Sequence, residues 1–123
     1  MIRPDEDVEY VQRYRIRQLT LATPTYKASD WDPTPDNAHR MLARLLEEAG
    51  EISGAVKSYF GRPLRPEVRT GDLHAVQAEI GDCLVIVYRL CDMFQIAPSV
   101  AIDRALNKYE NRLLELQRIV KAE

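Results

Sequence analysis

Four acidic residues stand in two pairs of identical spacing. Glu48 and Glu51 fall within Leu45-Leu46-Glu47-Glu48-Ala49-Gly50-Glu51-Ile52, and Glu79 and Asp82 within Ala78-Glu79-Ile80-Gly81-Asp82-Cys83-Leu84. On a helix, residues at i and i+3 share a face. Each pair therefore sets two carboxylates at the edge of an otherwise apolar face. If the two helices pack, the four acids repel one another and lose solvation. Burying even one unpaired ionised carboxylate is very costly. Protonation is one escape and a bound cation is another. Hard oxygen ligands of this kind suit magnesium, with manganese as a substitute. A purely structural reading pairs Asp82 with Arg89, two turns along the same helix. That explains Asp82 and leaves Glu79 alone.

The elements that must hold these acids are helices. Thr34 can cap a helix that has Pro35 at its first position, and Gly61 and Pro63 stop it after Phe60. Between them Ala38, Met41, Leu42, Leu45, Leu46, Ala49, Ile52, Val56, Tyr59 and Phe60 recur at helical spacing. Glu48 lies at the margin of that face, Glu51 just beyond it and Glu47 further round. His39 falls on the opposite margin and reads as a surface residue. A second helix is expected over residues 73–95. From Cys83 to Phe94 only Arg89 and Asp92 are charged, and a helix apolar nearly all round belongs in the middle of a bundle. A third, from Pro98 to the chain end, draws its apolar side from Val100, Ile102, Leu106, Tyr109, Leu113, Leu116 and Val120. Before all of these, residues 5–21 form a weakly patterned helix and residues 22–36 a proline-broken loop. The expected architecture is all-α and four-helix-bundle-like, with residues 1–35 an N-terminal helix and loop and 36–123 the core of a single domain.

Composition narrows the function. The chain has 123 residues, 46% of them hydrophobic, enough for one core. Once the four clustered acids are set aside, the formal charge of −2 becomes +2, so the acidity is local. The overall basic excess of nucleic-acid binders is missing. Cys83 and Cys91 sit eight residues apart, about 12 Å of helical rise. A disulfide needs Cα atoms within about 7 Å, so both read as small buried residues in a reducing cytoplasm. The chain opens without a signal-peptide pattern, and the apolar run Cys83–Tyr88 is far short of the ~20 residues of a membrane span. There is no glycine-rich phosphate loop, no zinc spacing and no Ser/His/Asp set.

Three further groups could carry chemistry. Lys108 and Arg112, at i and i+4 on the last helix, could clamp an anion or pair with Glu110 or Glu115, and spacing favours neither. Trp31, within Asp30-Trp31-Asp32, could stack a base, although a lid packed back on the core is the commoner use of such an aromatic. Arg13, Arg15 and Arg17 read chiefly as a solvated surface, as do Arg62, Arg65 and Arg69 in the loop 61–72, with phosphate contact the rival use for each set.

Together these residues form a pattern. Glu47-Glu48-x-x-Glu51, then 27 residues, then Glu79-x-x-Asp82, resembles the signature of the MazG-like all-α nucleoside triphosphate pyrophosphohydrolases. Asn107-Lys108-x-x-x-Arg112 is similar to that family's second motif. The likeness covers roughly residues 36–114. It implies a magnesium-dependent helical homodimer or homotetramer that cleaves nucleoside triphosphates to a monophosphate and pyrophosphate, in the manner of a nucleotide-pool sanitising enzyme. By position it implies Glu48, Glu51, Glu79 and Asp82 as metal ligands, with Glu47 either supporting those ligands from behind or positioning the attacking water. Lys108 and Arg112 would hold phosphate oxygens, and Trp31 is the candidate base contact. The rival expectation is a helical module that senses nucleotides without turnover or serves as a scaffold.

Overall fold

The computed structural model describes residues 8–61 and 73–122. These form four α-helices and no strand: α1 (Val8–Leu21), α2 (Pro35–Phe60), α3 (Leu73–Met93) and α4 (Pro98–Ala122), with a short 3-10 turn over Ala28–Trp31 between α1 and α2. The all-α expectation holds. The arginine-bearing loop after Gly61 and residues 5–7 of the first expected helix lie outside the described residues.

Local chemistry sets the boundaries. Thr34 is extended, and its Oγ1 accepts a hydrogen bond from the Asn37 backbone N–H at 3.2 Å. This satisfies one of the helix-start donors that have no partner within the helix. Asn37 Nδ2 donates to the carbonyls of Ser29 and Asp32, both at 3.0 Å, and so ties the 3-10 turn to the start of α2. Gly61 ends α2 at φ 80, a conformation glycine adopts without strain. α3 stops two residues earlier than its apolar pattern. Gln95 turns to φ 55, the Ile96 N–H donates to the Cys91 carbonyl at 2.8 Å, and Pro98 opens α4 about 100° away.

α2 and α3 pack antiparallel, with Met41 of α2 against Ile86 and Met93 of α3. These three are the buried apolar centre, and Trp31, Ala38, Leu45 and Leu90 pack around it. α1 lies on the other side of α3 and is clasped there by charge. Arg17 Nη2 reaches both carboxylate oxygens of Asp92 at 2.7 and 2.8 Å, and its Nε reaches Oδ2 at 3.1 Å. Glu9 completes the join by accepting a hydrogen bond from the Ser99 N–H, in the first turn of α4, at 3.0 Å. Beyond that turn α4 leaves the other helices. From Ser99 to Ala122 every residue except Ala105 is exposed, including the whole apolar stripe from Val100 to Val120. Among the described residues no single helix is long and apolar enough to cross a membrane.

Candidate metal centre

The antiparallel pairing of α2 and α3 that packs Met41 on Ile86 also sets Glu48 and Glu51 opposite Glu79 and Asp82. One carboxylate oxygen from each of the four lies within 4.8 Å of the others. Glu48 Oε2 and Glu79 Oε2 are fully buried without a hydrogen-bond partner. Two acceptor atoms left in that state are costly in a protein alone, and the all-oxygen set fits a magnesium or manganese ion. Titration responds to the crowding. Glu48 is raised above its ordinary carboxylate value, first by burial, then by the charge and hydrogen bonding of Glu51 and by Asp82, with Arg44 opposing. Glu79 is raised first by hydrogen bonding with the Glu51 side chain. Burial and the charges of Glu51, Asp82 and Glu48 add to it. The ion pair that would have explained Asp82 structurally does not form. Arg89 instead lies under Tyr26 and Trp31, with its Cζ 5.3 and 5.8 Å from the two ring centroids.

The other residues singled out in the sequence are distributed as follows. Glu47 is exposed beside Glu48 and outside the group of four. Lys108 and Arg112 are exposed on α4, with Lys108 Nζ over the Tyr109 ring at 5.3 Å. Among the described residues α4 packs extensively on neither α2 nor α3, so one chain does not bring its own Lys108 and Arg112 to the acids. Trp31 packs on the core, meets Tyr26 edge-on at 5.7 Å, and has the guanidinium groups of Arg17 and Arg89 over its ring.

Sequence reasoning overlooked the arginines next to the acids. Arg40, Arg44 and Glu48 follow one another at i, i+4 and i+8 on α2, a spacing that was readable. Arg44 is close enough to oppose the rise of the Glu48 pKa. Arg40, Arg44 and Arg89 open on one cavity of about 200 Å³ with Tyr26, Asp30 and Asn37.

Comparison with known proteins agrees with this geometry. The MazG nucleotide pyrophosphohydrolase domain matches residues 36–115 and so takes in both acid pairs and the Lys108–Arg112 motif. The uncharacterized protein YpjD of Bacillus subtilis (strain 168) is 35% identical over 72 residues. That match spans 58% of this chain and 63% of the relative, less than two thirds of its length. No solved structure matches. With a domain match over most of its length and the acid quartet assembled where that domain lies, the chain belongs to the MazG nucleotide pyrophosphohydrolase family.

Proposed function

We propose that this protein hydrolyses nucleoside triphosphates between the α and β phosphates, giving a nucleoside monophosphate and pyrophosphate, with magnesium as cofactor and manganese as a substitute. The observation that carries the proposal is the convergence of four carboxylates from two helices, two of them with buried oxygens that lack a partner. Glu48, Glu51, Glu79 and Asp82 would hold the ion. A divalent cation there neutralises substrate charge and acidifies water. Glu47, exposed at the rim, is assigned to orienting the attacking water. Lys108 and Arg112 are assigned to phosphate oxygens, where they would counter charge building on the leaving pyrophosphate.

Because α4 carries those two cations away from its own acid cluster, they would act across a subunit boundary. The exposed apolar stripe of α4 supports a homodimer or homotetramer in which the helix of one copy covers the site of another, since contiguous apolar surface of that extent marks interaction surfaces. A panel of canonical and modified nucleotides with magnesium, scored separately for pyrophosphate and phosphate, tests the reaction. Pyrophosphate release that falls at least a hundredfold in Glu51→Gln and Asp82→Asn is expected. Phosphate release, or near-wild-type turnover in both variants, would overturn the proposal.

A further inference from the structure

The hairpin of α2 and α3 carries a second charged group, of opposite sign, which the acid site does not use. Arg89 is 8% exposed, yet no carboxylate or carbonyl among the described residues accepts a hydrogen bond from it, and its Nε is fully buried without a partner. A cation in that state is strongly disfavoured unless something else answers its charge. Its guanidinium lies over the rings of Tyr26 and Trp31, and ring faces attract a cation without neutralising it. The cavity it lines also takes Arg40 and Arg44. Among the described residues that line it the single acid is Asp30, whose Oδ2 already accepts from the Lys27 N–H at 3.0 Å and whose Oδ1 lies only loosely, at 4.0 Å, from Arg40. Asn37 spends its amide hydrogens on Ser29 and Asp32. Three guanidinium groups against one carboxylate leave a cavity with a positive excess.

We propose that this cavity receives the distal phosphoryl group of the nucleotide substrate, with Arg89 as its buried anchor and Arg40 and Arg44 at its mouth. The assignment rests on the nucleotide reading above and adds the direction in which the substrate lies. Arg44 is one turn, about 6 Å, from Glu48 along α2, and Arg89 two turns, about 10 Å, from Asp82 along α3. A polyphosphate chain whose reacting phosphorus sits at the carboxylates would extend past Arg44, one turn from Glu48, to reach the cavity that Arg44 lines. A neutral base in the same place would leave the Arg89 charge unanswered. On this assignment Trp31 serves the phosphate end, by holding Arg89, and not the base.

The test separates binding from turnover. Inorganic tripolyphosphate is titrated calorimetrically in EDTA against wild type, Arg89→Met and the exposed pair Arg40→Gln/Arg44→Gln, which leaves the core untouched. Binding at least tenfold weaker in both variants is expected, with a tripolyphosphate-induced rise in Tm seen in wild type alone. A competition with an α,β-methylene nucleoside triphosphate and magnesium then names the source of the anion. Mutual exclusion is expected for the substrate's own tail, whereas independent binding would make the cavity a separate anion site and overturn the assignment. Equal tripolyphosphate binding by all three proteins, or none by wild type, overturns it as well. If the arginine dependence and the mutual exclusion are both found while no nucleotide is hydrolysed, the cavity holds the phosphate tail of a bound nucleotide and the reaction proposal alone fails.

Discussion

Removing one charge from the acid quartet should make the metal-free protein more stable and blind to magnesium. The perturbation is Glu79→Gln, which keeps the side-chain shape. In the ion-free state Glu79 faces Glu51, Asp82 and Glu48, with its Oε2 buried and unpartnered, so the amide relieves repulsion and provides a donor. On the proposed reading, a bound magnesium ion relieves the same repulsion in wild type. A ligand at a hundredfold its Kd adds about 2.7 kcal/mol to stability. For a chain of this size, on the order of 4 °C per kcal/mol makes that a rise of about 10 °C in Tm. The assay is thermal unfolding in EDTA and across a magnesium titration, with Asp103→Asn, an exposed acid on α4, as the control. Glu79→Gln should melt at or above wild type in EDTA and lose most of the magnesium response, whereas the control keeps it. The reasoning fails if Glu79→Gln melts lower than wild type in EDTA, or if magnesium raises both variants equally.

Other expectations follow from the same geometry. Because Glu48 and Glu79 are raised, the folded metal-free protein holds protons that the unfolded chain releases. Their favourable contribution is complete below the ordinary carboxylate value of 4.5 and is lost as pH rises through the raised values. The Tm deficit of wild type against Glu79→Gln in EDTA should therefore open as pH rises from 4.5, and calorimetric magnesium affinity should strengthen over the same window. Asp92→Asn removes the acceptor that clasps α1 to α3 through Arg17, and denaturant unfolding should show a loss of about 2 kcal/mol. Leu113→Glu, in the middle of the exposed stripe of α4, should shift the protein to monomer in light scattering while its circular dichroism stays helical. An oligomer unchanged by it would place the interface elsewhere.

How far the chain could be read in advance depended on how local the deciding interaction was. The start of α2 was legible because Thr34 and Pro35 act within one turn, and its end because Gly61 does. The acid quartet was legible because i, i+3 spacing leaves two carboxylates no choice but to share a face, and one apolar face on each helix dictates how the pairs meet. Arg89 was not. Its spacing to Asp82 allowed an ion pair, but Tyr26 and Trp31 fold back across the hairpin and capture the guanidinium, a contact more than fifty residues away in sequence. Asp92 likewise finds Arg17 75 residues away, which no spacing rule could show. α3 reads as the centre of a bundle, and it does lie between α1 and α2. Leu84 and Val85 are nevertheless left exposed, in an open groove that they share with Ile16 and Leu19 of α1.

The aromatic capture of Arg89 accounts for an otherwise puzzling charge distribution. An arginine two turns from four mutually repelling carboxylates would lower the energy of both by swinging toward them, and Arg44 already opposes the rise of Glu48. Tyr26 and Trp31 hold Arg89 out of that pairing, and the Asn37 bonds to Ser29 and Asp32 fix the turn that carries Trp31. The hairpin thus keeps a negative pole and a positive pole apart around the small cluster of Met41, Ile86 and Met93, and the separation costs stability. A ligand that brings a divalent cation to one pole and a phosphoryl oxyanion to the other relieves both at once. Loosening the clamp with Trp31→Ala should therefore let Arg89 reach the acids, weaken magnesium binding without touching a ligand, and narrow the stability gap between wild type and Glu79→Gln. An unchanged magnesium affinity in that variant would show that the two poles are independent.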